Sequence, residues 1–407
     1  MNGTRDCSIF CFLCIIMISF LGFSESNVEL HFSSKAKKTD LKFRNRSRNR
    51  SQFPQPFPKK CYICMLTIYS DFMKYATIID IAKELGISKS TVSRALRGDS
   101  QNVSRETQKR ILEVAERLGY KRNELAVNLR KQKTRTIGIV VPEMITSFYV
   151  NFITYAQQYL NKLGYRVMLA QSQENPDIEK INLQMMEDYR VDGILISVCH
   201  DQVNADIYRG IMKKGIPMVF FDRTISEMDA TQIKIDDYIK SFFMVEHLIR
   251  KGKTKIIHLA GPSYIQNTFE RIRGYKDALG KFNIAFDKQY LVEAGADYAG
   301  GENAVKQLLD RNIEFDAIFS FTEMSALGAK NYLQSRGVRI PEDVAVACMS
   351  GTDLCKLVHP TITAVEQPVQ MMAETASEVI LEKLETPDVA NRKIVLDAET
   401  FYRESTL

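Results

Sequence analysis

In the stretch ISKSTVSRAL, Lys89, Ser90 and Arg94 set two cations and a hydroxyl within six positions. On a helix, residues four apart share a face. Cationic and hydroxyl donors presented together suit phosphate oxygens and the acceptor edge of guanine. A second candidate constellation is Asp222-Arg223, directly after the apolar run PMVFF. An acid and a base at a strand end can hold ligand hydroxyls or form a plain surface ion pair. Catalytic patterns are missing: the chain has no phosphate-cradling glycine loop, no G-x-S-x-G elbow, and five histidines without metal-ligand spacing. Cys61 and Cys64 form a C-x-x-C pair, with no second pair or histidine pair at zinc-site spacing. We therefore expect no enzyme activity, no cofactor and no metal.

The donors need a scaffold, and the surrounding residues supply one. IIDIAKEL and STVSRAL are short amphipathic segments divided by Gly86, and SRETQKRILEVAERLGY is a longer helix with Ser104 as its N-cap. Ile79, Ala82, Leu85, Ile87, Val92 and Leu96 are expected to form the inner face of the first pair. Ile111, Leu112, Val114, Ala115 and Leu118 recur at helical spacing in the third. That leaves Lys89, Ser90, Ser93 and Arg94 near the outward face of the second helix. Two helices with a tight turn and donors on the second make a helix-turn-helix.

Beyond Thr134 the pattern alternates between strand and helix. The runs TIGIVVP, YRVMLAQ, GILISV, PMVFFD, TKIIHLAG, DAIFSFT and DVAVACM are separated by helical stretches such as 150–163 and 178–189. Apolar runs without polar alternation indicate parallel strands buried on both faces. Such sheets bind ligands beyond the carboxyl ends of their strands.

Charge divides along the same boundaries. Residues 1–72 carry a net +6, residues 73–136 a net +8 and the remainder −8, within a chain of 407 residues and net charge +6. A basic module on an acidic body implies that one part meets a polyanion and the other does not. Five of eight cysteines lie in the first 64 residues. Cys199, Cys348 and Cys355 are spread as buried small hydrophobes in a reducing compartment would be. Residues 7–23 form an apolar run at the short edge of membrane-spanning length, followed by the basic polar tract KAKKTDLKFRNRSRNRS, which cannot build a core.

From Met73 onward, TIIDIAKELGISKSTVSRALRG and VSRETQKRILEVAERLGYKRNELAVNLRKQKTRTIGIVVP resemble the opening of the LacI/GalR family of bacterial transcription regulators. RVDGILIS, PMVFFDR, RIRGYKDAL, SALGAKNYLQSRGVRIPEDVAV, PTITAVEQP and FYREST continue the resemblance in order. It implies an α/β chain: a three-helix, lambda-repressor-like helix-turn-helix domain at 73–121, a hinge helix and linker at 122–134, and a two-subdomain, periplasmic-binding-protein-like body at 135–407. Lys89, Ser90 and Arg94 would read the major groove, while Thr77, Ser88, Thr91 and Ser93 would support the turn or touch phosphate. Residues 123–130, NELAVNLR, fall at the hinge that orders on the operator. There Asn123, Ala126 and Leu129 would bind the DNA, Ala126 and especially Leu129 pressed into the minor groove, Leu129 as the wedge. Arg122 replaces the family's usual proline.

The resemblance further implies a homodimer on a partly palindromic DNA operator, controlled by a small-molecule effector of carbohydrate type. Chain crossings between subdomains are expected near 231–236, 357–362 and 388–392. Ser147 and Phe148 would wall the effector cleft, Phe148 being equally readable as a core aromatic. Asp222 would touch the ligand, and Arg271 would fork onto its oxygens. Thr322-Glu323 stands where many relatives have Asn-Asp, and Ser350 where many have an acid, so the ligand of any one sugar-responsive relative does not transfer. Gln367 falls near the cleft floor.

Residues 1–72 are expected to precede the true start, with translation from Met73 or Met65 and a cytoplasmic product. The rival readings of the apolar run are a membrane-tethered regulator and an exported solute-binding protein.

Overall fold

In the computed structural model, residues 76–96, 98, 101–120 and 133–407 are described. The chain separates into two compact units, one up to residue 123 and one from residue 124.

Three helices build the first unit: α1 (Ile78–Leu85), α2 (Lys89–Ala95) and α3 (Arg105–Arg117). Asp80 closes the start of α1 by accepting from the Thr77 backbone N–H at 2.8 Å and from its hydroxyl at 2.7 Å. Gly86 ends α1 at φ 64°, a left-handed conformation that glycine adopts without strain, and the chain turns directly into α2. Ser88 caps α2 and Ser104 caps α3, through the Thr91 and Thr107 N–H groups at 3.1 and 3.2 Å. Ile81, Ala82, Val92, Ala95, Val103 and Ile111 form the core.

Two expected inner residues are corrected by the helix phase. Ile79 is 52% exposed, because the buried stripe of α1 runs through Ile78, Ile81, Ala82 and Leu85; Leu112 is 49% exposed for the same reason on α3.

The second unit holds two six-stranded sheets. The first contains β1 (Thr136–Val141), β2 (Arg166–Gln171), β3 (Gly193–Ile196), β4 (Met218–Phe221), β5 (Thr231–Ile235) and β11 (Lys393–Leu396), in the order β11-β5-β4-β3-β1-β2 and parallel throughout. The second contains β6 (Ile256–Ala260), β7 (Leu291–Glu293), β8 (Ala317–Ser320), β9 (Ala345–Gly351), β10 (Thr363–Glu366) and β12 (Glu399–Phe401), in the order β12-β10-β9-β8-β6-β7, with only β12 antiparallel. Every residue of β3, β4, β6 and β8 is buried, which explains why these runs lack polar alternation.

Helices cover the sheets: α4 (Ser147–Lys162), α5 (Pro176–Asp188) and α6 (Ala205–Lys213) follow strands of the first sheet, and α7 (Asp237–Arg250), α8 (Gln266–Lys281), α9 (Tyr298–Asp310), α10 (Glu323–Ser335) and the short α11 (Leu354–Leu357) belong to the second. α12 (Val369–Glu385) returns to pack on the first sheet and on α4. The α9–α10 pair is pressed together at glycines: a Cβ on Gly301 would lie 1.9 Å from the Ser325 carbonyl oxygen, and one on Gly328 2.0 Å from that of Tyr298. This close approach fixes the start of α10, where Thr322 and Glu323 stand.

The chain crosses between subdomains three times: between β5 and α7, between β10 and α12, and between β11 and β12. The first lies where the family resemblance put it, near 231–236. The other two differ, because residues 357–362 lead into β10 within the second sheet and residues 388–392 lead into β11 within the first.

Candidate DNA-reading surface and effector cleft

The head presents its donors on α2. Lys89, Ser90 and Arg94 are exposed, and neither cation has an ion-pair partner among the described residues. Their neighbours are occupied differently. The Ser88 hydroxyl lies 2.7 Å from that of Ser90 and 2.9 Å from that of Thr91, besides accepting from the Thr91 N–H. Thr77 is engaged with Asp80, and Ser93 is half-buried. The structure thus sorts the seven described residues into an outward trio and a set that shapes the helix ends. Asn123, Ala126 and Leu129 lie outside the described residues.

In the body, Phe148, Asp222, Arg271, Thr322 and Ser350 all line one cavity between the two subdomains. They come from five separate elements: strand ends, helix starts and, for Arg271, the second turn of α8. Ser147, at the first position of α4, is not among the lining residues; the wall there is Phe148, which is also part of the core and packs edge-on against Tyr149 at 5.0 Å. Phe148 thus lines the cavity and belongs to the core at once.

Asp222 follows β4 at φ 55°, a strained conformation for a residue with a side chain, of the kind that collects at functional sites. It accepts a 2.8 Å hydrogen bond from the Tyr149 hydroxyl. Burial holds the Tyr149 phenol well above its ordinary pKa, so it remains a donor. The alternative reading, a plain Asp222–Arg223 ion pair, is not what forms. Arg223 instead places Nη1 2.8 Å from both oxygens of Glu174, a residue that leads into α5.

Arg271 is 1% exposed and almost fully engaged by its own subdomain. Its Nε donates to Asp237 Oδ1 at 2.7 Å, Nη1 to the Phe321 carbonyl at 2.6 Å, and Nη2 lies 3.4 Å from Ser350 Oγ. The guanidinium also lies over the Phe321 ring, 4.3 Å from its centre. With five N–H donors in total, the group keeps at least one N–H on each terminal nitrogen for a ligand. Burial raises the Asp237 carboxyl to about 6, against the opposing pull of Arg271.

Ser350, at φ 56°, receives the Gln367 amide at 3.0 Å. The Thr322 hydroxyl is spent: it donates to the Ala296 carbonyl at 2.6 Å and caps α10 through the Ser325 N–H at 3.2 Å. Glu323 braces the loop after β9 by accepting from the Thr352 N–H at 2.7 Å and its hydroxyl at 2.8 Å. Thr322 therefore shapes the wall instead of offering a free group.

Six lining residues escaped the sequence reading: Glu143, Thr146, Tyr149, Asn267, Ala296 and Phe321. Asn267 is 5% exposed with no hydrogen-bond partner among the described residues, so its amide is the least committed polar group of the cleft. Its position four residues before Arg271, on one face of α8, was a legible signal. The cavity measures about 30 Å³, room for a water or two.

Residues 77–123 match the model described as bacterial regulatory proteins, lacI family, and residues 134–398 match periplasmic binding proteins and sugar binding domain of LacI family. The catabolite control protein A of Priestia megaterium is 30% identical over 331 residues, covering 81% of this chain and 99% of its own length. The HTH-type transcriptional repressor PurR of Aliivibrio fischeri is 29% identical over 335 residues, covering 82% and 98%. Among solved structures, the transcriptional regulator CelR–cellobiose complex aligns with a TM-score of 0.62 at 25% identity, covering 81% and 99%. The lac repressor dimer bound to operator aligns at 0.74 and 22%, covering 82% and 100%, a likeness of fold. A helix-turn-helix head with an exposed donor face, a body of two mainly parallel sheets around a polar cleft, and these matches along both units place the chain in the LacI family of bacterial transcription regulators.

Proposed function

We propose that the chain is a homodimer that binds a partly palindromic DNA operator through α2 and is controlled by a small molecule in the body cleft. The observation that carries the reading is the exposed trio Lys89, Ser90 and Arg94 on the second helix of the head, two of them cations with no ion-pair partner among the described residues. A dimer presents two such faces to two half-sites. Relatives' own names support the scheme: PurR and CytR are transcriptional repressors, and solved neighbours carry cellobiose or ribose. We assign this chain an effector of the same broad class, a carbohydrate or carbohydrate derivative, with Asp222, Arg271 and Asn267 as its polar contacts.

No helix among the described residues is long and apolar enough to cross a membrane. We place the protein in the cytoplasm with its DNA. A solute-binding protein has no use for a DNA-reading head, which favours the regulator over the exported alternative.

The test is operator selection from a random duplex library with the full chain, followed by anisotropy titration of the selected duplex. Wild type should bind in a strongly salt-dependent manner, and Arg94→Ala should lose discrimination between the selected and a scrambled duplex. Equal binding of both duplexes by wild type and variant would overturn the reading.

A further inference from the structure

The subdomains are joined on one flank by the chain crossings, which leave from β5, β10 and β11, and these strands and β12 lie at or next to the leading edge of their sheets. A second set of contacts spans the cleft elsewhere, between the loops that follow β3 and β6. β3 is fourth of six in its sheet and β6 fifth of six, so this set is displaced from the crossing flank. There the His200 ring stacks on Tyr264, with centres 3.7 Å apart and planes within 8°. The Asp201 N–H donates to the Tyr264 carbonyl at 3.0 Å. Ser226, in the loop after β4, donates its N–H to Asp201 Oδ1 at 3.2 Å, and its hydroxyl proton is placed between Asp201 Oδ2 at 2.7 Å and Gln266 Oε1 at 3.0 Å.

We propose that His200, Asp201 and Ser226 on one subdomain and Tyr264 and Gln266 on the other form a latch that holds the cleft closed and must open to admit a ligand. Ligand sites commonly measure about 300 Å³ or more, whereas the cavity is about 30 Å³. Parting of the subdomains is therefore a condition of entry for anything as large as a sugar. The far half of the latch is rooted at the start of α8: Tyr264 and Gln266 flank Ile265, and Asn267 and Arg271 follow on the same helix. Opening the latch thus frees the segment that carries two cleft residues. Face-to-face rings and a cross-cleft backbone hydrogen bond cannot both survive a rigid separation of the two loops, so the contact has two states, made and broken. Its meaning for effector entry rests on the cleft reading; its existence as a latch does not.

Hydrogen–deuterium exchange on the full chain, without added ligand, tests the latch separately from any effector. The Asp201 amide is protected only by a carbonyl of the other subdomain, whereas the Val198 amide is bonded to Arg223 within its own. Tyr264→Leu and His200→Ala should each speed exchange at Asp201 by about three- to tenfold, the worth of one aromatic pair, with Val198 unchanged. The double variant should exceed neither single, since both delete one stack, and Tyr264→Phe, which keeps the ring, should match wild type. Unchanged exchange at Asp201 in the singles, multiplying effects in the double, or equal acceleration at Val198 would each overturn the proposal. A failed effector screen with a working latch would count against the cleft reading alone.

Discussion

The two binding surfaces handle their arginines in opposite ways. Arg94 stands on the outside of α2, exposed and without an ion-pair partner among the described residues, while Arg271 is 1% exposed and already bonded to Asp237 and the Phe321 carbonyl. A polyanion brings enough charge and releases enough counter-ions to organise flexible surface donors on arrival. A small ligand brings a few hydrogen bonds, so its donors must be fixed beforehand, and a fixed buried cation requires a fixed buried anion. From this follows an asymmetry in what each side chain does for the fold: the head can lose its reader and stay folded, and the cleft cannot lose its fork without cost.

The largest expected effect sharpens this contrast. Arg271→Ala leaves the Asp237 carboxylate buried without its partner and should destabilise the body by about 3–5 kcal/mol, read as a lowered midpoint in urea unfolding followed by body-specific exchange. Adding Asp237→Asn to that variant should restore part of the loss, because the orphaned charge is removed. If Arg271→Ala unfolds at the wild-type midpoint, the pair is not the brace described here.

Next comes Arg94→Ala. It should weaken selected-operator binding by about 1–3 kcal/mol, roughly 5- to 150-fold, while changing stability by no more than about 0.5 kcal/mol, as exposed substitutions do. Comparable losses of stability in the Arg94 and Arg271 variants would erase the distinction between the two surfaces.

What the sequence allowed and withheld follows the same division. Lys89, Ser90 and Arg94 could be read from local spacing, because one helix carries all three and no distant residue decides their exposure. Apolar runs likewise gave the strands, since a segment buried on both faces must be apolar throughout. The cleft was legible only singly. Asp222 showed as a polar residue at a strand end, and Arg271 and Ser350 only through the family resemblance; Arg223 pairs with Glu174 and Arg271 with Asp237, and partners 49 and 34 positions away leave no local trace. Ile78 and Ile79 are adjacent apolar residues, so the pattern of α1 admits two phases, and only packing against α3 selects the one that exposes Ile79. Chain crossings were misplaced at two points because a loop that enters a strand reads like a loop that changes sheet.

Proton binding offers a subtler comparison within the body. His258 is wholly buried, its Nδ1 3.0 Å from the Phe319 carbonyl, and burial depresses it to about 4. The unfolded chain takes up a proton near 6.5 and the folded one does not, so His258 removes stability as pH falls from about 6.5 towards 4, by about 1.4 kcal/mol per pH unit at most. Asp237 runs the other way. Its folded pKa of about 6 lies above the unfolded 3.8, so its contribution is complete below 3.8 and is lost as pH rises towards 6. The two slopes oppose each other over the shared range. Urea midpoints measured from pH 4.5 to 7 should therefore fall more steeply with acid in Asp237→Asn than in wild type, and less steeply in His258→Phe. Parallel profiles for all three proteins would show that neither group titrates as its burial requires.

The smallest effect belongs to the head and separates shaping residues from reading ones. Ser88 caps α2 by accepting from the Thr91 N–H, with the Ser90 and Thr91 hydroxyls gathered on the same oxygen. Ser88→Ala should cost about 1 kcal/mol of local stability, seen as faster amide exchange in α2 with the body unaffected. Operator affinity should fall by no more than that loss of order explains, and the number of ions released on binding, the slope of affinity against salt, should stay at the wild-type value. Lys89→Ala should reduce that slope, since it removes one of the two cations that the proposed trio brings to the polyanion. If Ser88→Ala reduced the slope as Lys89→Ala does, Ser88 would be touching the DNA backbone itself, and the line drawn between the outward trio and the helix-end residues would have to move.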